Sequence, residues 1–309
     1  MNTLDDFVEF LAKQWSGKPD ALHLDISSDM DRALPPFSLH NERSYKPWHW
    51  YPITSHPCWK EWKSGGQSTS SLQLQNAERV SMWWCASLEE AAKHYSWTPS
   101  PHGTFVSLRT VLRATMIASD VRGAASVCHR ILDWGGVAKK TNDASRLWIK
   151  DQEYAGTLIQ ALSCAVSHLH PSAAALSRFD YNGADIPMNS ATTKLFAAAD
   201  PSNATLIFDG RVGAALCLLV RRYLEVRQLP LAVPPDLLFY WGKHRTKPLL
   251  RNPSNTGFAF SEINQVSNIA RAQASQRANI VAHRMHEIKG ISAEDLERAL
   301  FMVGYAVNV

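Results

Sequence analysis

The chain is organised around the stretch Asp185-Ile-Pro-Met-Asn-Ser-Ala-Thr-Thr-Lys194-Leu-Phe-Ala-Ala-Ala199, which is followed after a short loop by Ala204-Thr-Leu-Ile-Phe-Asp209-Gly-Arg-Val-Gly-Ala-Ala-Leu216. The pattern predicts a turn, a helix, a loop, a brief extended run and a second helix. Asn189 or Ser190 is the expected N-cap of the first helix, and Asp209 is the expected N-cap of the second.

Lys194 and Asp209 each lie near one of these predicted helix starts. The positive end of a helix dipole favours the neutral amine of a lysine and the ionised form of a carboxylate. Such an amine beside a carboxylate is suited to attacking a glycosidic carbon while a developing cation is stabilised. The alternative is structural: an aspartate before a helix is usually a cap, and a lysine in a first turn usually faces solvent.

The same residues resemble a motif of the helix-hairpin-helix DNA glycosylases, in particular their bacterial 8-oxoguanine-glycosylase-like branch. There, a hairpin of the form Leu-Pro-Gly-x-Gly-x-Lys leads into a helix, and an apolar run ending in an aspartate follows. Ile186-Pro187 stands at the Leu-Pro position, Thr193-Lys194 at the Thr-Lys position, and Ile207-Phe208-Asp209 at the end of the apolar run. The resemblance covers Asp185 to Arg222, and the rest of the chain shares only helical character.

This resemblance implies a mainly α, two-lobed helical glycosylase-like fold that acts on double-stranded DNA containing a damaged or modified base. Lys194 would be the Schiff-base nucleophile and Asp209 the activating carboxylate, with no metal and no cofactor. The sequence departs from the family at Met188-Asn189-Ser190-Ala191, which replaces the Gly-x-Gly hairpin. Because those glycines let backbone N–H groups approach a DNA phosphate, the hairpin is degenerate. A catalytically inactive helical DNA-binding or interaction protein is therefore the alternative.

Positive charge is concentrated in the second half of the chain. The formal net charge is +4, and positions 209 to 289 hold twelve Lys or Arg residues against five Asp or Glu residues. This asymmetry is typical of a DNA-facing side. The predicted DNA contacts lie in the turn, in the helix starts and in a basic loop that could also be an ordinary solvated one: Asn189, Ser190, Thr192, Thr193, Arg211, Lys243, Arg245, Lys247 and Arg251.

Two domains are predicted, an N-terminal helix with an irregular aromatic-rich extension over residues 1–75 and a helical domain over residues 76–309. Aromatic rings among cations in the extension either stack on nucleobases or pack the loop onto the helical body. The candidates for a base pocket are Trp48, Trp50 and Tyr51. An oxidised purine is one candidate for the excised base. The aromatic extension suggests an alternative, a bulky modified cytosine of the kind excised in defence against phages.

Helices are expected over Thr3–Trp15, over Thr104–Trp134 with a break near Gly123, over Leu147–His170 as one element, and over Phe260–Ile288. The Gly135-Gly136 pair fits a helix C-terminus. Very little strand is expected.

Several other functions lack their sequence signals. The scattered cysteines include no Cys-x-x-Cys, which disfavours disulfides and an iron–sulfur cluster. No phosphate-binding glycine loop occurs, and the paired histidines at 168/170 and 283/286 lack a third zinc ligand at a recognisable spacing. The N-terminus has no basic targeting region and no apolar run approaches about 20 residues, so a cytoplasmic protein is expected.

Overall fold

The computed structural model describes residues 3–16, 87–93, 95, 102–137, 143–173, 176–179, 186–228, 232–243, 251–304 and 307, together with the backbone of 51–52 and 82–83. These residues are mainly helical, as the sequence predicted. The helices are α1 (Thr3–Trp15), α2 (Leu88–Lys93), α3 (His102–Ile117), α4 (Val121–Trp134), α5 (Ala144–Tyr154), α6 (Leu158–Leu169), α7 (Thr192–Ala199), α8 (Gly210–Val226), α9 (Asn268–Lys289) and α10 (Ala293–Val303). No helix among them is both long enough and apolar enough to span a membrane.

The strand content of the described residues is one antiparallel pair, in which β1 (Tyr51–Pro52) is bonded to β2 (Met82–Trp83). The chain separates into two compact units. Unit 1 comprises Met1–Tyr95, Gly210–Glu262 and Asp295–Val309, and unit 2 comprises Ser96–Asp209 and Ile263–Glu294. The predicted domain boundary at residue 75 lies outside the described residues.

Helix α7 is the centre of unit 2. All eight of its residues are buried, and it packs against α3, α4 and α6. The ring of Phe196 meets the rings of Trp148 and Phe179 edge-on, at centroid distances of 6.4 and 6.3 Å. Thus an eight-residue helix, too short to be stable alone, is held by apolar contacts on every side.

The C-terminus of α7 is closed by two side chains. Arg113 from α3 donates its Nε–H to the Ala198 carbonyl oxygen at 3.0 Å and also donates to the carbonyl of Asp200. Asp200 in turn accepts backbone N–H bonds from Ala204 and Thr205, both at 2.8 Å. The Arg113 bonds satisfy carbonyl groups that a helix end leaves without partners, and the Asp200 bonds fix the loop that follows.

The break expected near Gly123 is present at residues 118–120, and Asp120 accepts the Gly123 N–H at 2.9 Å, which places Gly123 in the first turn of α4. Two predicted helix spans are wrong. The helix expected over Phe260–Ile288 begins only at Asn268, after Ser267, whose hydroxyl accepts the Ala270 N–H at 3.3 Å. The single helix expected over Leu147–His170 is two helices, α5 and α6. They are separated at Gly156, whose φ of +72° is a conformation that favours glycine and interrupts a helix.

In unit 1, helix α8 packs against α1. Phe7 and Phe10 each place a ring 5.6 Å from the ring of Tyr223. Gly210, the first residue of α8, accepts the Gly242 N–H at 3.0 Å. The backbones approach so closely there that a Cβ on either glycine would lie 2.7 Å from the Cα of the other.

Asn279 links three segments of unit 2 from a fully buried position on α9. Its side-chain oxygen accepts the Leu206 N–H at 2.9 Å, and its amide donates to the Leu169 carbonyl oxygen at 2.9 Å. We predict that Asn279→Ala lowers the free energy of unfolding by about 1–3 kcal/mol for each backbone group left without a partner. Urea unfolding measures this loss. Gln273→Ala, an exposed position on the same helix, is the control, and an equal effect there would contradict the assignment.

Glu294 gives unit 2 an acid-sensitive contact. Hydrogen bonds donated by His102, at 3.1 Å, and by Arg109, at 2.9 Å, lower the pKa of Glu294 from 4.5 to about 2. Because the folded-state pKa is depressed, the contact stabilises the fold above pH 4.5, and this stabilisation is lost as the pH falls towards 2. We predict that Glu294→Gln is less stable than the wild type at pH 7 and that the difference vanishes near pH 2. Thermal unfolding across this range tests it, with the exposed Glu287→Gln as the control.

Candidate active site

Lys194 is a buried lysine at the third position of α7. Its side chain is 8% exposed, and its Nζ donates a hydrogen bond to the Ser190 carbonyl oxygen at 2.7 Å. Helical side chains point back towards the N-terminus, which explains why the amine reaches the turn before the helix. Lysine is seldom buried to this degree in proteins unless it is paired.

The N-cap position of α7 is Ala191, so neither of the two residues expected there, Asn189 and Ser190, occupies it. Asn189 instead closes the turn before the helix. Its side-chain oxygen accepts the N–H groups of Ala191 at 2.8 Å and of Thr192 at 3.0 Å, and Thr192 Oγ1 accepts the Asn189 N–H at 3.0 Å. This reciprocal pair has the form of a capping box. The Asn189 amide also donates to the hydroxyl of Ser145 on α5 at 3.1 Å.

The same turn is fixed from α9. Arg271 donates to the Ile263 carbonyl oxygen at 2.9 Å and to the Met188 carbonyl oxygen at 3.3 Å. The segment that carries Lys194 is therefore held on both sides by side chains that the sequence pattern did not single out.

One hydrogen bond ties α7 to the segment that carries Asp209. The Thr193 hydroxyl lies 3.2 Å from the carbonyl oxygen of Phe208 and 3.3 Å from that of Ser190, so the two acceptors share its proton. Lys194 follows Thr193, and Asp209 follows Phe208. This hydrogen bond therefore joins the residue before Lys194 to the residue before Asp209, the two predicted catalytic residues.

Asp209 is half-buried, and the residue before it is held within unit 2. The carbonyl oxygen of Phe208 accepts the hydrogen bond from the Thr193 hydroxyl. The apolar run that leads to it, Leu206 to Phe208, is buried.

The aliphatic part of Lys194 crosses the C-terminal end of α4. A Cβ built on Gly135 would lie 2.5 Å from Lys194 Cδ and 2.7 Å from Cε. The carbonyl end of a helix favours a cation, whereas the start of α7 favours the neutral amine. The dipoles of α7 and α4 therefore act on the Lys194 amine in opposite directions.

The polar side chains predicted to contact DNA in this turn are bonded within the protein. Thr192 and Thr193 are fully buried, and their hydroxyls and the Asn189 amide have the partners given above. These bonds give the three side chains a structural role. The prediction of a DNA contact here now concerns Ser190, which is half-buried, and the backbone of the turn.

The remaining predicted contacts are in unit 1. Arg211 is 9% exposed, and its guanidinium lies 4.2 Å from the centre of the Phe301 ring, which is a cation–π distance. Lys243 is half-exposed and pairs with Glu262 at 2.7 Å. Arg251 is half-buried. Arg245, Lys247, Trp48 and Trp50 lie outside the described residues, as does the side chain of Tyr51.

An open cleft of about 280 Å³ in unit 2 was not anticipated from the sequence. Its lining includes Ile186, the first described residue of the turn segment, and it is otherwise largely polar, with contributions from Gln152, Thr157, Gln160, Cys164 and Arg178. Amide, hydroxyl and guanidinium groups together offer both donors and acceptors. The polar character comes from residues on α5, α6 and the segment after them, which sequence spacing does not bring together.

Two cysteines of the described core, Cys128 and Cys217, are fully buried. Burial raises the pKa of the Cys128 thiol to about 12 and raises that of Cys217 as well. A thiol with a raised pKa is a poor nucleophile, since the thiolate is the attacking form. Within the described residues, no three His, Cys, Asp or Glu side chains are grouped as metal ligands would be.

Comparison of the chain with protein-family models, curated proteins and solved structures finds no match. Any function must therefore be argued from the site itself.

The two candidate caps of α7 are separable by mutation. We predict that Asn189→Ala lowers the free energy of unfolding by about 0.5–2 kcal/mol, because the N–H groups of Ala191 and Thr192 at the start of α7 lose their acceptor. Ser190→Ala is the matched control and is expected to change stability by less than about 0.5 kcal/mol. Chemical denaturation of both variants measures the difference. Equal losses would mean that the Asn189 cap does not carry the stability of the turn.

Proposed function

We propose that the protein is a DNA glycosylase that removes a damaged or modified base through attack by Lys194, with Asp209 as the assisting carboxylate. The observation that supports this most directly is the placement of a buried amine at the start of α7, where Thr193 is bonded to the residue that precedes Asp209. A nucleophilic lysine needs a fixed position and removal from bulk water. Lys194 is only 8% exposed, which removes it from bulk water, and its 2.7 Å hydrogen bond fixes its position.

The chemistry would begin with a base flipped out of the duplex, because the glycosidic bond is unreachable while the base is stacked. The lone pair of the Lys194 amine forms a bond to C1′ as the C1′–N bond breaks, and the bonding electrons leave with the base, which takes up a proton. Asp209 stabilises the positive charge that develops on the sugar and accepts the proton released by the amine.

The covalent adduct then permits a second reaction, cleavage of the DNA strand. Opening of the sugar ring gives a Schiff base between Lys194 and C1′, and loss of a proton from C2′ expels the 3′ phosphate by β-elimination. The enzyme is then bifunctional, with AP-lyase activity. If Lys194 only positions the substrate, Asp209 orients a water molecule instead and the enzyme is monofunctional.

The second candidate is a helical DNA-binding or interaction protein without catalysis. Two observations favour it: the glycine hairpin is replaced by Met188-Asn189-Ser190-Ala191, and the Asn189 and Thr192 side chains are consumed in capping α7. Such a protein would bind duplex DNA with a steep dependence on salt and release no base. The same binding assay with product analysis separates the two candidates.

Borohydride trapping tests the roles of the two residues. We predict that the wild type forms a reducible covalent adduct with a duplex containing an abasic site, that Lys194→Ala forms none, and that Asp209→Asn slows adduct formation by at least about 10²-fold. Lys150→Ala, an exposed lysine on α5, is the control and should react as the wild type does. An adduct that persists in Lys194→Ala would show that another amine is the nucleophile.

The identity of the base is resolved by substrate choice. Duplexes carrying oxidised purines, alkylated bases or bulky modified cytosines are incubated with the wild type, and free base is measured by mass spectrometry. Release from the cytosine duplexes alone would favour a defence role against modified phage DNA, and release from the oxidised purines would favour repair.

A further inference from the structure

Gly135 and Gly136 are glycines for different physical reasons. Gly136 has a φ of +71°, a conformation that side chains rarely adopt, and nothing lies within 4 Å of a Cβ built on it. Gly135 has φ −74° and ψ 3°, which any residue can adopt. A Cβ there would instead meet Lys194, at 2.5 Å from Cδ and 2.7 Å from Cε. The lysine side chain, rather than the backbone conformation, excludes a side chain at position 135.

Backbone hydrogen bonds fix the C-terminal end of α4, which the Lys194 side chain crosses. The N–H of Gly135 donates to the Ile131 carbonyl oxygen at 2.9 Å, that of Gly136 to Asp133 at 3.1 Å, and that of Val137 to Leu132 at 2.9 Å. The last two bonds form the motif that commonly ends a helix at a left-handed glycine. The side chains of Ile131 and Leu132 are fully buried, so this end of α4 is anchored in the core of unit 2.

We infer that Gly135 is a positioning residue for the Lys194 amine. Its missing side chain lets the lysine lie flat across the end of α4, and this path brings Nζ to the Ser190 carbonyl oxygen at 2.7 Å. A role for Gly135 in catalysis rests on the proposed function, whereas its effect on the position and reactivity of the Lys194 amine does not.

The size of the effect follows from the distances. Ordinary van der Waals contact begins at 3.4 Å, so an added methyl group at 2.5 Å from Cδ must displace the lysine chain by roughly one ångström. The far end of a lysine moves at little cost in stability, so the fold tolerates the methyl group while the amine leaves its place. A misplacement of this size at a reacting group costs on the order of 10²-fold in rate.

Gly135→Ala tests the inference, with Gly103→Ala as the matched control. Gly103 lies in the first turn of α3, and a Cβ built on it meets nothing within 4 Å. The first measurement uses the protein without DNA: reductive methylation of Lys194 by formaldehyde and borohydride, followed by peptide mass spectrometry as a function of pH. We expect Gly135→Ala to change both the rate and the pH midpoint of Lys194 methylation, and Gly103→Ala to change neither.

The second measurement is the rate of adduct formation with abasic-site duplex at saturating DNA. We expect a loss of about 10²-fold in Gly135→Ala with unchanged DNA affinity and an unchanged melting temperature. A Lys194 methylation profile identical to that of the wild type would overturn the inference. A wild type that forms no adduct would instead overturn the proposed function, and the methylation comparison would still decide the role of Gly135.

A double mutant covers the case in which Gly135→Ala is unstable. If the added methyl group collides with the lysine, its cost in the free energy of unfolding disappears in the Lys194→Ala background, where the long side chain is gone. If the same cost remains in that background, the collision is with the backbone of α4 and the inference is wrong.

Discussion

Complete burial of a short helix is the constraint on which unit 2 depends. Helix α7 has no exposed face, so each of its backbone ends must be satisfied by another part of the chain. Asn189 closes the start and Arg113 closes the end, and the apolar side chains between them fill the space among α3, α4 and α6. A lysine on such a helix cannot simply extend into solvent, and its amine must find a place within the protein.

The place that Lys194 takes connects the core to the proposed chemistry. Its aliphatic part rests on the end of α4, and its amine meets the turn that Asn189 closes. The groups that stabilise α7 are therefore the same groups that define where the amine lies. This is why polar residues of the turn that were predicted to face DNA are engaged in structure, and why we infer a positioning role for Gly135, which follows the end of another helix.

The sequence was sufficient for features set by local physics. Helix α1 has the predicted bounds because its apolar spacing is regular, and α4 ends at the predicted Gly-Gly pair because a left-handed residue there needs glycine. The mainly helical class followed from the same periodicity. The break near Gly123 was also predicted, and the absence of a side chain at this glycine leaves room for the capping carboxylate of Asp120.

The contacts that could not be predicted from the sequence join residues that are far apart in it. No spacing rule connects Asn279 to Leu206, Arg271 to Met188, or Gly135 to Lys194, because each pair meets only after the helices have packed. The sequence nonetheless contained an indication at position 135. One glycine is enough to end a helix, so a second glycine beside it indicates a separate structural reason. The cleft lined by Gln152 and Arg178 had no such signal, since its residues are ordinary ones on separate elements.

The bond to the residue before Asp209 has a thermodynamic consequence. With the carbonyl of Phe208 held by the Thr193 hydroxyl, the main chain that leads to Asp209 has already lost rotational freedom when the protein folds. A side chain carried by a main chain that is ordered in advance reorganises little as charge develops beside it. In the proposed reaction, this preorganisation is the form in which folding energy becomes available for stabilising a short-lived cation.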